Sequence, residues 1–211
     1  MKFSDSAKGF ADLAQVIPDI LLDIRYYSAY NFIGTRIDGY ERPAALMTVE
    51  AAEALRRVNE KIRVEGYGFR VFDAYRPQMA VDHFVRWAKD LADTRMKAIF
   101  YPDVEKSSLF EVGFIAEHSG HTRGSTVDLT LYDRRTGENV DMGGSFDYFG
   151  QISHFDAPGL TGEQRKNRNS LREWMMEGGF NPYEEEWWHF TLANEPYPDT
   201  YFTFPVTDRA R

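Results

Sequence analysis

Apolar and polar positions alternate between two periods along this chain, one helical and one extended. From Val49 to Glu65 the apolar residues Leu55, Val58 and Ile62 recur at the spacing of one helix face. Thr48 stands where a cap is expected, and Gly66 and Gly68 end the run. Phe69–Ala74 then reads as a strand. Pro77 occupies a position favoured at a helix N-terminus and opens a helix reaching to about Leu91. Ser125–Leu131, rich in β-branched and apolar residues, reads as a second strand. Thr161 with Gln164 has the form of a capping box for a helix ending at Gly178-Gly179, and Glu186–Leu192 is the last clear strand. Two long irregular stretches, Tyr101–Thr122 and Tyr132–Pro158, separate these elements, and loops of that length in a compact domain usually carry function. With no repeat and no low-complexity linker, the 211 residues are expected to form one domain spanning 1–211 with helices and strands interleaved.

Composition narrows the chemistry. A hydrophobic fraction of 43% belongs to a folded protein, and no apolar run approaches the roughly 20 residues of a membrane span. Net charge is −8 and no Lys/Arg-rich stretch stands out, which disfavours nucleic acid as a partner. The N-terminal residues lack the pattern of a secretory signal, so the cytoplasm is the expected location, or the periplasm if a leader has been removed. The absence of cysteine excludes disulfides and thiolate ligands, leaving His, Asp and Glu to hold any transition metal.

The chain has five histidines: His83, His118, His121, His154 and His189. His121 is followed by Gly124, which permits a sharp bend, and by Asp128 inside the apolar strand. A carboxylate there is costly unless it is paired or bound to a cation. The step from His121 to Asp128 suits a turn feeding a strand, with both side chains meeting at the strand's start. In the second cluster, EEEWWHFTL, alternation places Trp187, His189 and Thr191 on one face and Trp188, Phe190 and Leu192 on the other. Glu186 then falls opposite His189 and joins it only if the chain bends at the strand's entry, near Asn181-Pro182. Two His and one carboxylate make a catalytic zinc set, and a nearby uncoordinated Glu suits proton transfer. The plainer readings are that Asp128 is a strand-end cap or half of a salt bridge, and that Glu184-Glu185-Glu186 is a solvated charge run. His83, in mid-helix, is read as a surface or hydrogen-bonded residue, and His118 and His154 as surface or supporting groups.

Taken together the motifs resemble a known family. SGHTRGSTVDLTL resembles the S-x-H-x-x-G-x-x-x-D signature of the D-alanyl-D-alanine dipeptidases, the VanX-type branch of the zinc D,D-peptidases. EWWHF resembles the family's E-x-W-H block and FDAYRP its D-x-Y-R-P block. DIRYYSAYNFIG and DMGGSFD also look like family segments, and the five blocks stand in family order. The resemblance implies an α+β fold, with a small, mainly antiparallel sheet, surrounding helices and the metal at one sheet edge. It implies one Zn2+ per chain on His121, Asp128 and His189, with Glu186 as general base and acid and Arg76 stabilising the oxyanion. A structural salt bridge to Asp73 is the plainer reading of Arg76. Ser119, Tyr26 and Asp147 match positions near the substrate's termini. The doubled Trp187-Trp188 is read as packing, with one ring available to the pocket floor. The implied reaction is hydrolysis of the small dipeptide D-alanyl-D-alanine. The alternatives are a carboxypeptidase or peptidoglycan endopeptidase of the same superfamily and, from another class, a non-catalytic zinc-binding module. Oligomeric state is not readable from these residues.

Overall fold

A computed structural model describes residues 1–111 and 113–207. Val112, within the first irregular stretch, and 208–211, at the end of the expected domain, lie outside the described residues. In chain order the elements are β1 (Lys2–Ser4), β2 (Phe10–Asp12), α1 (Leu13–Val16), β3 (Leu21–Leu22), β4 (Leu46–Thr48), α2 (Val49–Val64) and β5 (Tyr67–Asp73). They continue with α3 (Gln78–Lys89), α4 (Lys97–Phe100), β6 (Thr126–Asp133), α5 (Gly162–Glu177), β7 (Phe180–Tyr183), β8 (Glu186–Leu192) and β9 (Thr200–Phe202). The fold is α+β. Its main sheet has the order β3-β5-β6-β8-β7, antiparallel except where β3 pairs with β5.

Local chemistry accounts for most of these elements. Thr48 caps α2 by accepting from the Ala51 amide, and Leu55, Val58 and Ile62 on its inner face are buried. Glu65 is the C-cap, and Gly66 follows at φ 88°, a backbone angle that suits glycine, to turn the chain into β5. At α5 the box is complete: the Thr161 side chain accepts from the Gln164 amide and the Gln164 side chain accepts from the Thr161 amide. Pro77 is the N-cap of α3, with extended backbone at ψ 149°, and so stands one residue outside the helix rather than at its first position. Helix α2 packs on β5 and on α5, and one continuous apolar cluster joins the sheet to its helices.

Two irregularities in the sheet decide where side chains point. Between β5 and β6 the register shifts, so that Val71 pairs with Leu129 but Asp73 pairs with Asp128, leaving Phe72 as the extra residue. Asp128 in turn pairs with His189 across β6 and β8. Asp73, Asp128 and His189 therefore lie in one row across three strands, close enough to interact on a shared face. Between β7 and β8 the register shifts again: Pro182 pairs with Phe190, but Tyr183 pairs with Glu186. Regular alternation fails through Trp187 and Trp188, and both indoles are buried.

Candidate active site

Gly120–Arg123 form a 3-10 turn capped by Ser119, whose Oγ accepts from the His121 amide. Gly124 closes the turn at φ 81°, and a Cβ there would meet the Phe10 ring at 2.3 Å. This bend delivers His121 to the first residues of β6, next to Asp128. His121 Nδ1 lies 2.7 Å from the Ala74 carbonyl. A carbonyl only accepts, so Nδ1 carries a proton there and Nε2 is the nitrogen turned toward Asp128 Oδ2, at 3.2 Å. From β8, His189 Nδ1 comes to 3.0 Å from Asp128 Oδ1. The two atoms are buried and lack hydrogen-bond alignment, so each is without a hydrogen-bond partner. One ligand atom from each of His121, Asp128 and His189 lies within 4.8 Å of the others. Three potential ligand atoms brought together, with two buried atoms unpartnered, form a set that fits a divalent cation preferring nitrogen and oxygen.

The charges around this trio are strongly coupled. Burial opposes the Asp128 charge, but the histidines outweigh it, His121 foremost, and hold the carboxyl well below its usual range. Burial also opposes protonation of His189. Asp128 and Glu186 reverse that and push the imidazole up to about 9. Glu186 Oε2 is 3.4 Å from His189 Nδ1, so the irregular entry to β8 brings Glu186 to the side of His189. Its neighbours turn elsewhere: Glu184 pairs with Arg172, and Glu185 accepts from the Tyr183 hydroxyl.

Arg76 is pinned from below. Its Nε donates to Asp73 Oδ2 at 2.9 Å, its Nη2 lies 3.6 Å from Asp128 Oδ2, and the guanidinium stacks over Tyr26 and Phe84. Asp73 is fully buried and also accepts from the Tyr40 hydroxyl at 2.6 Å. The salt bridge to Asp73 is therefore present, and Arg76 nonetheless faces the cavity. Across the cavity Asp147 accepts from the Tyr26 hydroxyl at 2.8 Å. Burial first, and the Asp128 charge second, push the Asp147 carboxyl well above the usual carboxylate range. Its backbone stands at φ 58°, the one non-glycine residue at positive φ among those described.

The eight residues Tyr26, Arg76, Ser119, His121, Asp128, Asp147, Glu186 and His189 all line one cavity of about 280 Å³. The two long irregular stretches supply its walls through Phe114–Gly120 and through Asp147 and Phe149, with the Phe114 and Phe149 rings stacked 4.7 Å apart.

A family model described as D-ala-D-ala dipeptidase, peptidase M15, matches residues 6–207. A D-alanyl-D-alanine dipeptidase of Enterococcus faecalis is 43% identical over 199 residues, covering 94% of this chain and 98% of that protein. The chain belongs to this family. A dipeptidase of Streptomyces coelicolor is likewise 43% identical, over 93% of this chain and 98% of its own. One from Escherichia coli is 33% identical over 86% and 83% of the two chains. Among solved structures, a point mutant of the vancomycin resistance D,D-pentapeptidase VanY in complex with Zn(II) covers 75% of this chain and 78% of its own. It does so at 14% identity and a TM-score of 0.41.

Several site features had no signal in the sequence. Tyr40 reaches Asp73, the partner of Arg76, from a distant loop, and Tyr183 packs edge-on against His189 at 5.6 Å. His118 lies on the cavity rim, whereas the His154 carbonyl is tied down away from it. His83 is held by the Asp38 amide outside the cavity. Neither Trp187 nor Trp188 lines the cavity floor. The shifted register tucks both rings into packing, 5.4 Å apart, and Trp187 lines a separate cavity behind Phe146.

Proposed function

We propose that this chain is a zinc dipeptidase that hydrolyses D-alanyl-D-alanine to two D-alanines, acting as a single domain on free dipeptide in the cytoplasm. The observation that carries the reading is the convergence of His121 Nε2, Asp128 and His189 Nδ1, flanked by Glu186 and Arg76, in one small cavity. Mere metal storage needs neither a free carboxylate nor a guanidinium beside the ligands. His121, Asp128 and His189 would hold the ion. Zinc bound there supplies a Lewis acid that polarises the scissile carbonyl and lowers the pKa of water to about 7.

The chain's own groups do the rest. Glu186 takes the proton of the attacking water and passes it to the departing amine nitrogen. Arg76, kept charged by the surrounding acidic groups, neutralises the oxyanion as the carbonyl becomes tetrahedral, and the Asp73 contact holds it still while it does so. Asp147, with Tyr26 as its hydrogen-bond donor, faces the substrate's ammonium. A cation beside Asp147 restores the charge that burial suppresses, so a free amino terminus fits this end and a neutral acylated nitrogen does not. Ser119 Oγ accepts from the His121 amide, which leaves its own proton to donate to the substrate carboxylate. A cavity of about 280 Å³ lies just below the roughly 300–1,000 Å³ of ordinary ligand sites, which suits a dipeptide and disfavours a wall-peptide endopeptidase.

The test is a substrate panel on zinc-loaded protein: D-Ala-D-Ala, L-Ala-L-Ala and an N-acylated D-Ala-D-Ala. Cleavage of the first alone supports the reading. Equal cleavage of the acylated peptide would replace it with the carboxypeptidase.

A further inference from the structure

Asp147 sits at the tip of a segment with almost no regular structure. From Met142 to Phe155 there is only a single 3-10 turn, Gln151–Ser153, and at the tip the backbone holds Asp147 in the left-handed region. Aspartate is among the few non-glycine residues that adopt this conformation, and the surrounding contacts keep it there. The two arms of this loop are joined at its base by one side chain from another element.

Arg168, on the helix Gly162–Glu177, is 1% exposed. Its Nε donates to the Met142 carbonyl at 2.6 Å and its Nη2 to the Ile152 carbonyl at 2.9 Å. Its Nη1 donates to the carbonyls of His154 at 2.6 Å and Phe155 at 3.4 Å. The guanidinium thus joins the residue five before Asp147 to residues five, seven and eight after it. It makes no ion pair among the described residues. Burial pulls its pKa down to about 10, and it remains a cation at neutral pH, neutralised by carbonyl dipoles. Two neighbours on the same helix grip the start of the loop: Gln164 Nε2 donates to Asp141 Oδ2, and Asn167 Nδ2 donates to the Asp141 carbonyl, each at 2.9 Å. Gly144 lets the loop close on this cation, since a Cβ there would stand 3.3 Å from both Arg168 Nη2 and the Ile152 carbonyl. The guanidinium also rests over the Trp187 ring at 5.5 Å, the residue that follows Glu186.

We propose that Arg168 is a positioning residue for Asp147, and through it sets the affinity for the substrate's free amino terminus. The proposal rests on the dipeptidase reading above. A planar fork with five donors serves four carbonyls at once, which an ammonium at the end of a flexible stem does not. Replacing it loosens the base of the loop, and the carboxylate at the tip moves relative to the metal trio. Arg168 touches no reacting atom, so chemistry at Glu186 and Arg76 proceeds once substrate is bound.

The experiment compares full-length, zinc-loaded Arg168→Lys and Arg168→Met with wild type. KM for D-Ala-D-Ala should rise roughly tenfold while kcat stays within about threefold, and the preference over the N-acylated dipeptide should narrow similarly. Zinc content should stay unchanged. In an Asp147→Asn background, Arg168→Lys should leave KM where Asp147→Asn alone puts it. An unchanged KM with only a lower melting temperature, or two substitutions whose effects on KM simply multiply, would overturn the proposal. Amide exchange reads the same clasp without catalysis, so it stands even if wild type does not cleave the dipeptide and the functional reading fails. Arg168→Lys should speed exchange across residues 142–155 and leave 126–133 and 186–192 unchanged, and a uniform rise along the chain would refute it. Arg168→Lys carries the test if Arg168→Met does not fold.

Discussion

Asp73→Asn is the sharpest single perturbation of this site, because it leaves shape nearly intact and removes one charge. Asp73 is fully buried and receives the Tyr40 hydroxyl at 2.6 Å and Arg76 Nε at 2.9 Å. Burial raises the pKa of Asp73 more than the Arg76 charge lowers it, so the carboxylate is held at a cost and Arg76 is its chief compensation. With asparagine in place, Arg76 loses its closest counter-charge and is left with the looser 3.6 Å ion pair to Asp128. Removing one partner of a buried ion pair costs about 3–5 kcal/mol, because the other charge is left uncompensated. At roughly 2–4 °C per kcal/mol for a chain of this size, the melting temperature should fall by about 6–20 °C. The guanidinium would no longer be fixed where negative charge develops, so kcat should fall by roughly 10²-fold or more, with KM changed much less. Urea titration measures the first effect and steady-state kinetics on D-Ala-D-Ala the second. A stability loss under about 1 kcal/mol together with an unchanged kcat would show that the pair neither anchors the fold nor aims Arg76.

The remaining expectations concern metal, proton and substrate. His121→Ala and His189→Ala should each abolish tight zinc binding by elemental analysis, whereas His83→Ala should keep about one zinc per chain. Glu186→Ala should retain the metal and lose about 10²–10⁴-fold in kcat, and loss of the metal in that variant would make Glu186 a ligand instead. With the His189 pKa raised to about 9, zinc competes with a proton, so its affinity should weaken about tenfold per pH unit as pH falls from 8 to 7. Chelator competition at the two pH values reads this directly, and a pH-independent affinity would contradict the coupling. Asp147→Asn should weaken dipeptide hydrolysis and narrow the gap between free and N-acylated substrates in parallel assays of the two.

Much of this protein is written locally. Thr48, the Thr161–Gln164 box, Gly66 and Gly178-Gly179 mark helix ends because caps and left-handed turns act over four or five residues, and β8 spans the residues expected of it although its alternation breaks at Trp187-Trp188. The grouping of His121 with Asp128 was hinted at locally, because an Asp inside an apolar strand and a His just before a glycine bend are anomalies visible in one dimension, whereas the roles of His189, Glu186, Arg76, Ser119, Tyr26 and Asp147 came from the family resemblance. Tertiary structure decided the rest. The short strands β1, β2, β3, β4 and β9 have two or three residues each, too few to show a period, and exist through their partners. The register shifts opposite Asp73 and Tyr183 set which side chains share the cavity, and a shift of register depends on the neighbouring strand. That is why neither ring of the Trp187-Trp188 pair reached the pocket floor and Glu186 came round to His189. Arg168 lies in GEQRKNRNSLREWMME, a run so polar that its face toward the Asp147 loop is indistinguishable from a solvated one. Its four acceptors are backbone carbonyls, which every residue carries, so their arrangement around one guanidinium has no signature in the order of side chains.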